Sequence, residues 1–287
     1  MKKREKIYVT KASGESVEFS VSKLKNSMMR AGASKEQIET VVAQISDKLY
    51  QGIPTKKIYR EAFNLLKASS KHIAAKYQLK GAIMELGPSG YPFEKFVAEI
   101  LNRQGYKTQV GQVVKGQCVS HEVDVIAENE DAHFMIECKY HNTPGRVSDV
   151  KIPLYIQSRF KDVEAAWLKI PKYASKFHQG WVVTNTKFTT DAVQYGTCVG
   201  LKLVGWNYPN GESLRSLIDS LKLYPVTCLT SLTGYEKQKL LENKIVLCKE
   251  LLEKQTLLDE VGIKPSRIIT IMNEASLLCR QENHETK

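Results

Sequence analysis

The sequence predicts an α/β protein in three parts: a helical domain opened by a β-hairpin, an α/β/α sandwich with a mixed sheet, and a small helical module. Three observations carry this. Period-two apolar alternation is confined to about residues 6–19 and 107–206, and helical spacing dominates elsewhere. Between 90 and 206 the patterns run helix, antiparallel strands, then strand–helix–strand, an order that builds a mixed sheet covered by helices. From about Tyr224 no strand pattern remains. The 287 residues suffice for two or three domains, and boundaries at 1–89, 90–222 and 223–287 are expected.

Ile7 and Val9 alternate with polar residues, Gly14 supplies a turn, and Val17 and Phe19 follow, which reads as a hairpin. Three helices come next. Ser20 or Ser22 caps the first, Ser34 with Gln37 makes a capping box for the second, and Thr55 caps the third. A further helix covers about 70–86, and Gly87-Pro88-Ser89-Gly90 is the clearest break.

Pro92 suits the first position of a helix whose core face is Phe93, Phe96, Val97, Ile100 and Leu101, with Glu94 at its edge. Strands near 107–114, 119–127 and 133–141 follow. A helix opens near Ser148. Short buried strands at 181–184 and 201–206 flank a helix capped by Thr189. Beyond them, 240–252 and 268–278 read as amphipathic helices.

The net charge of +11 is uneven: residues 1–89 carry 17 basic against 8 acidic side chains, the remainder 25 against 23. A surface for nucleotide phosphates or DNA backbone follows, with a solvated Lys-rich helical domain as the alternative. Six scattered cysteines without a Cys-x-x-Cys pair argue against structural zinc and a disulfide framework. No stretch is long and apolar enough to span a bilayer, so no membrane partner and a cytoplasmic location are expected.

The chemistry concentrates in one hairpin. His121-Glu122-Val123-Asp124-Val125-Ile126-Ala127 and His133-Phe134-Met135-Ile136-Glu137-Cys138-Lys139 both alternate as strands. Glu137 and Lys139 share one strand face, with Phe134, Ile136 and Cys138 on the other. Asp124 lies thirteen residues upstream of Glu137 on the preceding strand. Two carboxylates beside a lysine suit a Mg²⁺-dependent phosphodiesterase, in which oxygen ligands hold a hard cation that activates water.

This segment resembles the active-site hairpin of the PD-(D/E)xK nuclease superfamily, and Ile136-Glu137-Cys138-Lys139 is closest to Mrr-type restriction endonucleases. The resemblance covers about 90–220. It implies a restriction-endonuclease-like fold with Asp124 and Glu137 as Mg²⁺ ligands and Lys139 as the water-orienting base. Glu94, on the preceding helix, is a candidate supplementary ligand, with a surface helix glutamate as the alternative. Gln157 is a further candidate, because Mrr-like enzymes carry a Gln/Tyr motif on the next helix, although the spacing here departs from it. His141, Lys151 and Arg159 read as loop or solvated helix groups, with substrate phosphate or DNA backbone as the alternative.

Tyr8-Val9-Thr10-Lys11-Ala12-Ser13-Gly14, Glu18-Phe19-Ser20 and Ser22-Lys23-Leu24 resemble the ATP-cone, the nucleotide-sensing module of ribonucleotide reductases. Ala74, Ala75 and Tyr77 match its late helix, so the resemblance covers about 3–88. It implies ATP or dATP as a regulatory ligand, with Val9, Lys11 and Lys23 at the nucleotide. Ala12 departs from the usual arginine. A glycine-rich Walker loop is absent, so sensing rather than hydrolysis is expected. Val261-Gly262-Ile263-Lys264-Pro265-Ser266 resembles a helix-hairpin-helix turn, and a helical bundle for protein contact is the alternative.

The expected function is therefore a nucleotide-regulated, Mg²⁺-dependent DNA endonuclease of restriction or repair type. A Holliday-junction resolvase or an RNA nuclease stays open within the enzyme class. A non-catalytic nucleotide-responsive DNA-binding regulator is the rival. DNA and a purine nucleoside triphosphate are the expected partners, and homo-oligomerisation is left open.

Overall fold

The hairpin read at the start of the chain is present as β1 (Tyr8–Thr10) and β2 (Ser16–Glu18), antiparallel with Val9 opposite Val17. The computed structural model describes residues 6–11 and 13–280. Ala12, the departure from the ATP-cone pattern, lies outside them. Helices α1 (Val21–Arg30) and α2 (Lys35–Ser46) follow. Ser20 caps α1 by accepting from the Lys23 N–H, and Ser34 and Gln37 close the capping box of α2. β3 (Ile53–Pro54), a strand with no sequence signal, adds parallel to β1. It corrects the cap expected at Thr55. Pairing holds Pro54 extended, so Pro54 occupies the cap position of α3 (Thr55–Ser69) and offers no side-chain bond. The single helix expected at 70–86 is two, α4 (Lys71–Tyr77) and α5 (Leu79–Met84), broken at Gln78. Met28, Ala62, Leu66 and Ala74 are fully enclosed in this core.

Residues Ile83–Tyr224 form a compact unit of their own. The break expected at Gly87 lies inside it. Gly87 packs so closely on Tyr140 that a β-carbon would stand 2.8 Å from its ring, and the Tyr140 hydroxyl donates to the Met84 carbonyl at 2.6 Å. Helix α6 (Tyr91–Arg103) leads into β4 (Lys107–Lys115), β5 (Ser120–Glu128) and β6 (Ala132–Lys139). The short β7 (Val147–Ser148) precedes α7 (Lys151–Trp167). Ser148, expected near the helix start, is instead drawn into β7 by pairing with β9 (Lys187–Phe188). β8 (Phe177–Thr184), α8 (Thr190–Cys198), β10 (Lys202–Val204) and α9 (Leu214–Leu221) complete the unit.

The sheet order is β10-β8-β6-β5-β4. β4, β5 and β6 are antiparallel, while β8 and β10 run parallel to β6. Helices α6 and α9 pack on one face over Trp181, Val183 and Val204. Helix α7 packs on the other over Val123, Met135, Val182 and Leu203. This is the α/β/α sandwich with a mixed sheet.

From Pro225 the chain returns to the first unit. The helix expected over 240–252 is two, α10 (Gly234–Glu242) and α11 (Cys248–Glu253). The Glu250 carboxylate accepts from the Val246 and Leu247 N–H groups and so restarts the helix. Helices α12 (Thr256–Glu260) and α13 (Pro265–Cys279) follow, with Gly262 at φ +81° in the turn between them. The helices expected as a third part thus share a compact unit with the hairpin and α1–α4. Thr227 Oγ1 donates to the Ala82 carbonyl at 2.7 Å and Gln78 Nε2 to the Cys228 carbonyl at 2.8 Å.

Candidate active site and nucleotide cavity

Asp124 stands where the alternation of β5 breaks. Val123 and Ile126 both pack against the α7 face, although strict alternation would send an odd and an even residue to opposite faces. The registers Val110 to Val125 and Gln112 to Val123 place Gly111 opposite Asp124. Gly111 takes φ +63°, a conformation that L side chains rarely adopt. The irregularity re-aims Asp124, and its Oδ2 accepts from the Cys138 N–H at 2.7 Å. A strand distortion beside reactive groups is a common way to aim a side chain.

Glu137 lies on β6, on the α7 face. Its Oε2 accepts from Arg159 Nη1 at 2.8 Å. Arg159 Nη2 also donates to the Glu122 carbonyl, and the guanidinium lies 5.3 Å from the Tyr155 ring centre. Only 12 % of the Arg159 side chain is exposed, which corrects its reading as a solvated helix charge. Lys139 follows Glu137 on the same face, and its Nζ has no hydrogen-bond or ion-pair partner among the described residues. The far end of β6 is fixed by buried polar groups. Thr184 Oγ1 donates to the Lys139 carbonyl, and the Asn185 amide brackets the His141 backbone at 2.9 and 2.8 Å.

Glu94 lies in the first turn of α6, in another layer of the sandwich, and is acted on by the charges of the same carboxylates. Burial and then the charges of Asp124, Glu122 and Glu137 push its carboxyl up to about 7. Asp124 is pushed up to about 6, first by burial and then by Glu137, with the Cys138 N–H and Arg159 opposing. The sequence could not distinguish Glu94 from a surface glutamate, because the charges that act on it lie on strands in a separate layer. Gln157 is not joined by a hydrogen bond to Glu137 or Lys139, and its Oε1 is buried without a partner. His141 pairs with Ser148 through Nε2, and its ring is held below the usual imidazole range by burial, Lys139 and Arg146. Lys151 is exposed.

These donors fit a hard divalent cation. They are carboxylate oxygens, and their mutual repulsion is what a bound cation would relieve. Among the described residues no three His, Cys, Asp or Glu side chains form a ready-made cage. Mg²⁺ commonly rests on one or two carboxylates, with water and phosphate completing the shell.

In the other unit, Val9, Lys11 and Lys23 line one cavity of about 260 Å³ with Phe19, Ser20 and Thr55. Lys11 is paired with Glu15 at 2.8 Å, both side chains about half exposed. Ser20 places the N-terminus of α1 at the cavity, where free amides favour an anion. Tyr59 and Tyr77 complete the wall, stacked at 4.7 Å and 15°, with the Tyr59 hydroxyl donating to the Tyr77 carbonyl. Tyr59 had no sequence signal beyond its place on α3.

Comparison with known proteins finds three matches along the chain. An ATP cone domain model matches residues 7–79, a restriction endonuclease model 87–207, and a model described as AF1548-like, C-terminal, 224–279. An uncharacterized protein of Archaeoglobus fulgidus is 36 % identical over 180 residues, 62 % of this chain and 97 % of that protein. The crystal structure titled as the protein of unknown function AF1548 is 34 % identical with a TM-score of 0.54, covering 66 % of this chain and 98 % of that one. No helix among the described residues is long and apolar enough to cross a membrane. With that relative covered almost end to end, the chain belongs to the AF1548-like family and joins an ATP cone domain to an Mrr-type restriction endonuclease domain.

Proposed function

We propose that the protein is a divalent-cation-dependent DNA endonuclease whose activity answers to a purine nucleoside triphosphate. The observation that carries the reading is the placement of Asp124 on β5 and of Glu137 and Lys139 on the adjacent β6, with Asp124 fixed by the Cys138 N–H, Glu137 by Arg159, and the carboxyls of Glu94 and Asp124 raised to about 7 and about 6. Half-buried carboxyls that also repel one another are costly to ionise, and a bound cation would offset that cost.

Asp124 and Glu137 would hold Mg²⁺, with Glu94 in reach directly or through water. The cation would lower the pKa of a bound water and steady the charge on the phosphate. Lys139, with no partner among the described residues, would orient the attacking water through its Nζ and offset the charge that develops on the phosphate. Asp124 keeps its aim through the Cys138 N–H. At the cone, the Lys11 and Lys23 ammonium groups and the start of α1 favour phosphates, while the stacked tyrosines offer a flat wall to a purine.

Supercoiled plasmid incubated with Mg²⁺ or EDTA, with wild-type protein and Asp124→Asn, tests the reading. Nicking that needs both Mg²⁺ and Asp124 supports it. Tight DNA binding without any nicking under either condition would favour a non-catalytic regulator.

A further inference from the structure

We infer that Arg159 is a positioning residue for the nuclease site, holding the Glu137 carboxylate so that its second oxygen is presented to a divalent cation. The inference rests on the nuclease reading above and deepens it.

The two ligand carboxylates are fixed in different ways. Asp124 is short, and a main-chain N–H from Cys138 holds its Oδ2 at 2.7 Å. Glu137 has a longer stem with an extra rotatable bond, and no main-chain donor reaches it among the described residues. Its neighbours Asp124 and Glu94 repel it. Left alone, such a side chain turns toward water. Arg159 supplies what the main chain does not. One guanidinium nitrogen holds Oε2 at 2.8 Å and leaves Oε1 without a bond.

Arg159 is itself held on its other sides. Its second terminal nitrogen is fixed by the Glu122 carbonyl, and the ring of Tyr155 lies beside it. The fork is therefore anchored to a main-chain atom of β5, the strand that carries Asp124. Glu137 on β6 is thus tied to β5 through Arg159, much as Asp124 on β5 is tied to β6 through Cys138. Reciprocal ties of this kind lock two ligands at one separation. A guanidinium meant only to fill an empty cation site would have no need of the carbonyl anchor. Outer-shell partners that orient a ligand are worth about 10–100-fold in metal affinity.

The test is calorimetric titration of the full chain with Ca²⁺ or Mg²⁺, with no DNA present. Wild type, Arg159→Met and Arg159→Lys are compared, with thermal melts to report folding. Methionine keeps length and apolar contact without a donor. Positioning predicts that Arg159→Met binds the cation about 10–100-fold more weakly. Arg159→Lys, which keeps one charged donor but cannot also reach the Glu122 carbonyl, should recover most of that loss. In cleavage assays Arg159→Lys should lower kcat while leaving KM for DNA near the wild-type value. Tighter or unchanged cation binding in Arg159→Met would overturn the inference and make Arg159 a competitor of the cation. Should Arg159→Met fail to fold, a raised KM with unchanged kcat in Arg159→Lys would overturn it equally. Wild type that binds no divalent cation would instead remove the nuclease reading itself.

Discussion

Glu94 and Asp124 make the site sensitive to pH in a defined direction. Both carboxyls lie above their ordinary range near 4, at about 7 and about 6. Between those limits the folded chain holds protons that the unfolded chain has released, so stability falls as pH rises from about 4 toward about 7. Glu94→Gln should therefore melt close to wild type at pH 4.5 and higher than wild type at pH 8 without cation. Melting curves across that range check it, and equal wild-type and variant slopes would show that Glu94 is not held among the carboxylates. Lys139→Ala should cut turnover about 10²–10⁴-fold with little change in cation affinity. Unchanged turnover, or simple unfolding, would make Lys139 structural. Strand alternation put Glu137 and Lys139 on one face, and Asp124 came from its spacing on the preceding strand and the resemblance. The sequence could not display Arg159, whose role depends on a helix meeting the sheet at one point, and it left Glu94 ambiguous for the same reason.

At the scale of elements, strong periodicity was legible and local competition was not. The hairpin at β5 and β6, the capping box at Ser34 and the cap at Thr189 are present as read. The missed β3 is two residues long and exists only because β1 is beside it. The helices that split at Gln78 and after Glu242 carry continuous apolar stripes, and side-chain bonds mark the breaks: Gln78 itself donates to the Cys228 carbonyl, and Glu250 accepts from the Val246 N–H four residues before it. The irregularity across Gly111 was also illegible, since alternation on either side of it looks regular. It yields a prediction: Gly111→Ala forces an L side chain to φ +63° and should destabilise the nuclease unit by about 1–2 kcal/mol. Urea unfolding measures it. A neutral effect would mean that the strand relaxes to ordinary pleating, and cleavage should then suffer through Asp124.

At the scale of the molecule, the chain crosses twice between its two compact units. The chain leaves the cone-bearing unit after Ala82 and returns at Pro225, and Thr227 ties the two crossing points through the Ala82 carbonyl. Gln78, next to the cavity-lining Tyr77, donates to the Cys228 carbonyl in the returning segment. Truncation after Tyr224 should therefore weaken nucleotide binding as well as stability, and calorimetry with ATP on the truncated chain measures this. Retained affinity would make the C-terminal helices independent of the cone. Any nucleotide effect on DNA affinity must be matched by an equal DNA effect on nucleotide affinity. Lys11 is free to serve phosphate at small cost, because its pair with Glu15 is solvent-exposed and such pairs contribute about 0–1 kcal/mol.

The most direct measurement is plasmid nicking by the full chain across an ATP titration, with free phosphate monitored and Asp124→Asn run alongside. The account predicts Mg²⁺-dependent nicking by wild type alone, a rate that changes with ATP, and no phosphate release. Nicking by Asp124→Asn at the wild-type rate, or cleavage that consumes ATP in proportion, would contradict it.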